Sequence, residues 1–255
     1  MRINGNTIFI PGATSGIGLA LAQRLHDAGN TVIVGGRRTE LLEQIATRHP
    51  GIDTVRIDTT DTASIHEAAQ QVIASHPDLN VLIPMAGIMR AEDWTAPSGA
   101  LATSEAIVTT NLLGPIRLIA AFLDQLMAQP DATIMTVSSG LAHAPLRPTP
   151  TYNATKAAIH LLSETLRLQL ADTSVGVIEL VPPSVQSEIM SGHEEDPTAM
   201  PLAEYLDEVM DLLESQPEAS EILVERVKFL RYGEVRGDQE QVIAALNGTD
   251  VLARA

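Results

Sequence analysis

The stretch Ile8–Ala22, IFIPGATSGIGLALA, decides the fold of this 255-residue chain. It begins as an apolar run typical of a buried strand, continues into a glycine-rich turn, and ends with the apolar spacing of a helix. Glycines let the backbone approach a pyrophosphate, and a helix N-terminus presents unpaired N–H groups and a partial positive charge. The stretch therefore predicts a phosphate-binding turn. The alternative is a turn that only packs the helix on the strand.

Proline at position 11 stands between the predicted strand and the glycines Gly12, Gly16 and Gly18. Proline fixes φ at about −65° and has no backbone N–H, so it is tolerated where φ already has that value and no acceptor is left unpaired. We therefore predict a turn that is stiffened but still functional. Thr14 and Ser15 add hydroxyl donors to it.

Strand-like and helix-like segments alternate along the rest of the chain. The predicted strands are 7–10, 31–35, 54–57, 81–83, 133–137 and 175–181, and the predicted helices are 17–28, 40–48, 64–75, 104–129 and 152–171. Helical patterns follow at 201–215, 218–231 and 238–246, with no clear final strand. This order predicts an α/β fold: one doubly wound parallel sheet of six to seven strands, with helices on both faces and a helical C-terminal segment. We expect a single domain over 1–255, in which about 185–255 forms a substrate lid and the C-terminal helices.

Composition excludes several classes of function. The formal net charge of −16 argues against nucleic acid and anionic membranes as partners. Because the chain has no cysteine, it has neither disulfides nor thiolate chemistry. We predict no metal site, and no membrane-spanning or secretory segment, so a cytoplasmic protein is expected. Residues 168–225 contain fourteen carboxylates and no lysine or arginine, which we interpret as a solvated acidic surface.

Two arginines, Arg37 and Arg38, follow the second predicted strand. An acidic residue at this place would bind the ribose 2′-OH of NAD, whereas guanidinium groups can hold the 2′-phosphate of NADP. The sequence therefore favours NADP(H), with NAD(H) still possible. The alternative is a pair of surface arginines that flank the next helix.

Ser139, Tyr152 and Lys156 indicate the chemistry. Ser139 follows a predicted strand, and Tyr152 and Lys156 are four residues apart on one face of a predicted helix. A phenol with a pKa of about 10 is a poor base at neutral pH, so we expect the Lys156 ammonium to lower the pKa of Tyr152. Such a tyrosine can exchange a proton while a hydride moves at the same carbon. A chance Tyr-x-x-x-Lys pair is the alternative, but the glycine turn and Ser139 favour a catalytic site.

From about residue 6 to residue 187 the sequence resembles the short-chain dehydrogenase/reductase family, with its Rossmann-type fold. The resemblance implies a catalytic tetrad of Asn111, Ser139, Tyr152 and Lys156, in which Asn111 holds a relay water and Lys156 also binds the nicotinamide ribose. It places Asp58 and Thr59 near the adenine. The implied cofactor-binding residues are Gly12, Thr14, Ser15, Gly16, Ile17, Gly18, Arg37, Arg38, Asp58, Thr59, Ala86, Gly87, Tyr152, Lys156, Pro182, Val185 and Ser187. Within the family the chain is similar to the bacterial group named after DltE, which shares a helical tail of the RYGEVRGD type.

Three departures from the family pattern lie at predicted strand ends around the cofactor. Pro11 replaces the usual threonine, Pro84-Met85 replaces Asn-Asn, and Pro183 replaces a glycine. In the family the threonine hydroxyl bonds the asparagine loop. Since both partners are apolar here, losing the pair can be nearly neutral.

The sequence thus predicts an NADP(H)-dependent oxidoreductase that interconverts a ketone or aldehyde and an alcohol. Two alternatives stay open: a catalytically silent NADP sensor, and a family member that performs epimerisation or elimination with bound nicotinamide. Leu141, His143 and Met190 are the predicted pocket residues for a small, largely apolar substrate, although His143 has the alternative of a surface loop position. By resemblance we expect a homo-oligomer, with a dimer favoured over a tetramer because no final strand is predicted.

Overall fold

A computed structural model describes residues 1–96, 100–190 and 195–248. Seven strands form one sheet in the order β3-β2-β1-β4-β5-β6-β7, and every pair is parallel. The strands are β1 (Thr7–Pro11), β2 (Thr31–Gly36), β3 (Ile52–Arg56), β4 (Val81–Leu82), β5 (Ala132–Val137), β6 (Val175–Leu180) and β7 (Glu221–Ile222). The order reverses between β1 and β4, and an open sheet of this kind forms a crevice at that point.

Helices cover both faces of the sheet. They are α1 (Gly16–Asp27), α2 (Thr39–Arg48), α3 (Thr62–Ser75), α4 (Leu101–Val108), α5 (Gly114–Met127), α6 (Pro150–Gln169), α7 (Leu202–Ser215), α8 (Lys228–Arg231), α9 (Gly233–Arg236) and α10 (Gln239–Asn247). Ile8 and Ile10 of β1 point into one core with α1, α2 and α7, whereas Phe9 points into the other with α3 and α5. This alternation buries a parallel strand on both sides, and the predicted fold class is confirmed.

β7 corrects the predicted helix over 218–231. Val181 N–H donates to Ile222 O at 3.2 Å and Glu179 N–H donates to Ser220 O at 2.9 Å, so this segment extends the sheet at the edge of β6. The strand is only two residues long, which is too short to give an alternating pattern. Pairing with β6, rather than local propensity, decides its conformation. A final strand is therefore present, and the reason for doubting a tetramer is removed.

The helix predicted over 104–129 is interrupted. Residues Thr109–Leu113 form a π-helical segment between α4 and α5. By length and composition alone, the stretch Leu101–Met127 is apolar enough to cross a membrane. Leu118, Phe122 and Leu126 are nevertheless buried in the core that α5 shares with α3, as is usual for a core helix.

Candidate active site

A cavity of about 720 Å³ opens at the carboxyl ends of the strands. Its walls come from the β1–α1 turn, the end of β2, the segments after β4, β5 and β6, the start of α6, and the C-terminal segment. Open parallel sheets bind ligands at this edge. The volume is in the range of sites for cofactors and other small molecules.

The glycine turn is closely packed against the segment after β4. A Cβ on Gly12 would lie 2.3 Å from Ala86 N, and a Cβ on Gly18 would lie 2.8 Å from the Met85 side chain. Gly12 and Gly16 also have positive φ angles of 95° and 55°, which side-chain-bearing residues rarely adopt. The turn therefore needs glycine both for its backbone conformation and for close approach.

Pro11 fixes this packing through its carbonyl group. Its oxygen accepts hydrogen bonds from Met85 N and Ala86 N, both at 3.0 Å. Proline cannot donate to a neighbouring strand, and Pro84 has the same restriction. Accordingly the pairing of β1 with β4 ends at Phe9 and Leu82, and β4 is shorter than predicted. The Pro11 carbonyl, the hydrogen-bonding backbone group that proline retains, thus connects the glycine turn to the loop after β4.

The two arginines lie beside the glycine turn. Arg38 Nη2 donates to Thr14 Oγ1 at 3.0 Å, and both arginines line the cavity. Asp58 precedes the cavity residue Thr59 in the chain but does not itself line the cavity. Partial burial acts to raise its pKa, but hydrogen bonds from the Thr60 N–H and hydroxyl, with the charges of Arg37 and Arg56, lower it overall.

Ser139 and Tyr152 meet inside the cavity. Ser139 caps a short 3-10 turn after β5, where its Oγ accepts a hydrogen bond from Leu141 N at 3.1 Å. The Ser139 side chain is close enough to the Tyr152 hydroxyl to influence its pKa. Burial raises the pKa of Tyr152 to about 12, and the interaction with Ser139 offsets only part of that rise. The predicted lowering of this pKa was therefore wrong for the protein alone, because desolvation of the phenolate outweighs the stabilising contacts.

Lys156 lies one helical turn beyond Tyr152, and its Nζ is 5.5 Å from the centre of the phenol ring. Nζ donates to Val137 O, the last carbonyl of β5, at 2.8 Å. Burial lowers the pKa of Lys156 to about 8, and the charge of Glu179 acts against that change. The ammonium is thus held at the end of the sheet by one backbone carbonyl.

Asn111 is buried in the π-helical segment, and its side-chain amide forms hydrogen bonds with the loop after β4. Oδ1 accepts from Ile88 N and Nδ2 donates to Ile88 O, each at 2.9 Å. The extra residue in the helix turn directs this side chain at the loop. Such π-helical bulges are frequent at functional sites. The relay water assigned to Asn111 stays a prediction.

Most of the predicted site residues line one cavity. They are Gly12, Thr14, Ser15, Gly16, Ile17, Gly18, Arg37, Arg38, Thr59, Ala86, Gly87, Ser139, Leu141, Tyr152, Lys156, Pro182, Val185 and Ser187. Asp58, Asn111, His143 and Met190 are not among the lining residues. Met190 packs beside Tyr152 in a small apolar cluster. His143 instead places its ring edge-on against His160, with centroids 4.6 Å apart, because its loop turns back onto α6.

The C-terminal segment supplies cavity residues that the sequence reasoning missed. Leu230, Ala245 and Leu246 line the wall near Leu141. Gly140 provides the contact surface, since a Cβ there would lie 2.6 Å from Leu230 Cδ1. The helical periodicity of this segment signalled burial, but not which surface it covers. Residues 191–194 and 249–255 of the predicted lid and tail lie outside the described residues.

Comparisons with known proteins agree with this geometry. The family model described as short chain dehydrogenase matches residues 6–198. The uncharacterized oxidoreductase DltE of Bacillus subtilis is 37% identical over 251 residues, covering 97% of this chain and 98% of that protein. An NADPH-dependent 1-acyldihydroxyacetone phosphate reductase of Schizosaccharomyces pombe is 32% identical over 72% of this chain and 61% of its own length.

A solved short chain dehydrogenase from Burkholderia cenocepacia in complex with NADP has a TM-score of 0.82 and 26% identity. The alignment covers 96% of this chain and 99% of that one. The sheet of this order carries a glycine turn and a Ser-Tyr-Lys arrangement, and relatives match the chain over almost its whole length. The chain therefore belongs to the short-chain dehydrogenase/reductase family and is an oxidoreductase of the DltE-like kind.

Proposed function

We propose that the protein is an NADP(H)-dependent reductase that interconverts a small, largely apolar ketone or aldehyde and the corresponding alcohol. The observation that carries this proposal is that Tyr152 and Ser139 lie together in a cavity that the glycine turn also lines. A proton donor and a dinucleotide cradle then face the same space.

The residues present fit a nicotinamide dinucleotide. Gly12, Gly16 and Gly18 line the cavity, where glycines let a pyrophosphate approach the backbone, and Arg37 and Arg38 add positive charge to the lining. Those arginines would hold an additional 2′-phosphate, which favours NADP(H) over NAD(H). The solved relative from Burkholderia cenocepacia is a complex with NADP. When bound, the nicotinamide supplies or accepts the hydride.

Tyr152 is set up to work as an acid. With a pKa raised to about 12 by burial, the phenol is protonated at neutral pH and can donate to a carbonyl oxygen. Ser139 lies beside it with its Oγ fixed by the Leu141 N–H, so its hydroxyl can polarise the same oxygen.

Lys156 and Asn111 would support that proton transfer. The Lys156 ammonium lies close to the Tyr152 ring, where a positive charge stabilises the phenolate left after donation. Asn111 holds the loop after β4 in place. We propose that it also orders the relay water implied by the family resemblance.

The shape and charge of the cavity indicate the substrate class. Leu141, Leu146, Ile189, Leu230 and Leu246 give its outer part an apolar lining, and the exposed Glu188 carboxylate adds negative charge there. A neutral or cationic free molecule suits this wall better than a phosphate ester such as 1-acyldihydroxyacetone phosphate, which is in the name of the Schizosaccharomyces pombe relative.

A substrate bound to an acidic carrier protein fits poorly for the same reason. Residues 168–225 contain fourteen carboxylates and no basic side chain, and like charges slow encounter. Exposed arginines elsewhere, such as Arg90 and Arg147, could form a separate docking patch for a carrier. Efficient turnover of a carrier-bound β-keto thioester, far above that of a simple ketone, would contradict this part of the proposal.

We further propose that the protein is a cytoplasmic homodimer. Leu161 and Leu168 of α6 are 63% and 79% exposed, and Ile116 and Met127 of α5 are also exposed. Apolar side chains exposed on two helices that pack against the same core form a surface suited to a second copy. Light scattering in solution tests the assembly, and a monomeric mass would contradict it.

The experiment that tests the function is a panel of ketones, aldehydes and alcohols assayed by nicotinamide absorbance with the purified protein. The matched control is Tyr152→Phe, which keeps the ring and removes the hydroxyl. NADPH binding without turnover of any simple carbonyl would favour the silent sensor. Product formation without net change in nicotinamide absorbance would favour epimerisation or elimination.

A further inference from the structure

Glu179 is a fully buried carboxylate for which the proposed reaction has no role. It lies in β6 with none of its surface exposed. His160 Nδ1 of α6 lies 3.0 Å and 2.9 Å from its two carboxylate oxygens. A buried carboxylate is costly unless other groups compensate its charge, so its neighbours indicate what it does.

The helix α6 connects this carboxylate to the catalytic residues. Tyr152, Lys156 and His160 follow one another at intervals of four residues and therefore share one helix face. Lys156 Nζ bonds Val137 O at the end of β5, and the preceding residue, Thr136, is the register partner of Glu179. The carboxylate thus lies on the adjacent strand, one helical turn beyond the ammonium.

Other charged groups face Glu179 from each packed element. On α6, Arg167 Nη2 is 3.7 Å from Glu179 and Glu164 is 3.7 Å from His160 Nε2. On β7, Glu221 is held by Arg231 of α8 through bonds of 2.8 Å and 3.1 Å.

The histidines and glutamates of this cluster also resemble a metal-ligand set. Possible ligand atoms of His143, His160, Glu179 and Glu221 lie within 4.8 Å of one another. Arg231, however, already occupies the Glu221 carboxylate and brings a positive charge to the place where a cation would bind. Arg231 therefore balances the charge of Glu221, and the cluster is better explained as a charge network than as a metal site.

Lys156 is the buried cation at the other end of this network. Within residues 1–96, 100–190 and 195–248 it forms no ion pair, and its side chain has little contact with solvent. Burial lowers the pKa of its ammonium to about 8, and the charge of Glu179 opposes that change. An uncompensated ammonium at this depth would lose its proton more readily.

We propose that Glu179, oriented by His160, is a positioning residue that holds the catalytic Lys156 in its charged form. His160 contacts both oxygens of the Glu179 carboxylate, which directs that carboxylate from β6 toward α6. The consequence for turnover rests on the function proposed above, but the charge state of Lys156 does not.

The composition of the chain makes a direct test feasible, because Lys156 and Lys228 are its only lysines. Isotope-labelled lysine gives two NMR signals, and Lys228→Arg removes the signal of the partly exposed residue. In Glu179→Gln the titration midpoint of Lys156 should fall by about one pH unit. The matched control is Glu164→Gln, which removes a half-exposed carboxylate from the edge of the same network and should leave the midpoint unchanged.

A second variant keeps the proposal testable if Glu179→Gln does not fold. Glu179→Asp keeps the charge but withdraws it by one methylene, so the midpoint should lie between those of the wild type and Glu179→Gln. An unchanged midpoint in Glu179→Gln, or one at or above the wild-type value in Glu179→Asp, overturns the proposal. If the protein reduces ketones, the alkaline limb of its pH–rate profile should shift together with the titration midpoint of Lys156. A shifted midpoint without any reductase activity would support the role of Glu179 and refute the proposed function instead.

Discussion

Replacing Gly12 by alanine tests whether the close approach of two strand ends builds the cofactor cradle. Gly12 has a φ of 95°, and a Cβ there would lie 2.3 Å from Ala86 N and 2.4 Å from Ala86 Cα. The contact is with backbone, so no change of rotamer relieves it. A left-handed conformation costs an alanine roughly 1–2 kcal/mol, and overpacking typically costs about 1–3 kcal/mol. The free energy of unfolding should therefore fall by about 2–5 kcal/mol.

Thermal unfolding by circular dichroism measures this loss. For a chain of this size each kcal/mol lowers Tm by roughly 2–4 °C, so we expect a decrease on the order of 10 °C. The matched control is Gly5→Ala, at a φ of 72° with nothing within 4 Å of the added Cβ. It carries the backbone cost alone. The NADPH-induced rise in Tm should also shrink in Gly12→Ala but not in Gly5→Ala. Equal losses of stability in the two variants would refute the close approach as the reason for glycine at position 12.

Three further variants test the remaining parts of the site. Tyr152→Phe should lower turnover by roughly 10²–10⁴-fold with NADPH affinity retained, because only the proton donor is removed; near-normal steady-state rates would reject Tyr152 as the acid. Arg37→Ala combined with Arg38→Ala should weaken NADPH but not NADH binding, by roughly tenfold for each charge-assisted bond lost, as measured by calorimetry; equal affinity of the wild type for both cofactors would contradict the assignment. Pro11→Thr should change Tm and NADPH affinity little, because the carbonyl at position 11 still accepts from Met85 N and Ala86 N; a large gain in affinity would show that proline impairs the turn.

Local sequence was sufficient wherever the signal repeats along one element. The order of strands and helices through α6 followed from apolar periodicity, and the i to i+4 spacing placed Tyr152 and Lys156 on one helix face. Because parallel strands end at the same edge, the residues after β1, β2, β4, β5 and β6 were expected to meet, and the cavity lies there.

Sequence reasoning failed where a contact between distant segments decides the outcome. Residues 221–222 become a strand only because β6 offers an unpaired edge. His143 leaves the cavity because its loop packs on α6. The carboxylates of residues 168–225 were interpreted as a solvated surface, but Glu179 is buried and contacts His160. Arg167 and Arg231 lie close to the same cluster of charged groups.

The sequence by itself therefore determined the first six strands of the sheet, the glycine turn and most of the residues that face the cavity, since these depend on periodicity and on spacing within single elements. Only the tertiary structure decided the direction in which the pKa values of these buried groups move. Burial raises the pKa of Tyr152 and lowers that of Lys156, and the carboxylate that opposes the second change comes from another strand. Desolvation and charge act through space, so they depend on which segments the fold brings together and not on their distance along the chain.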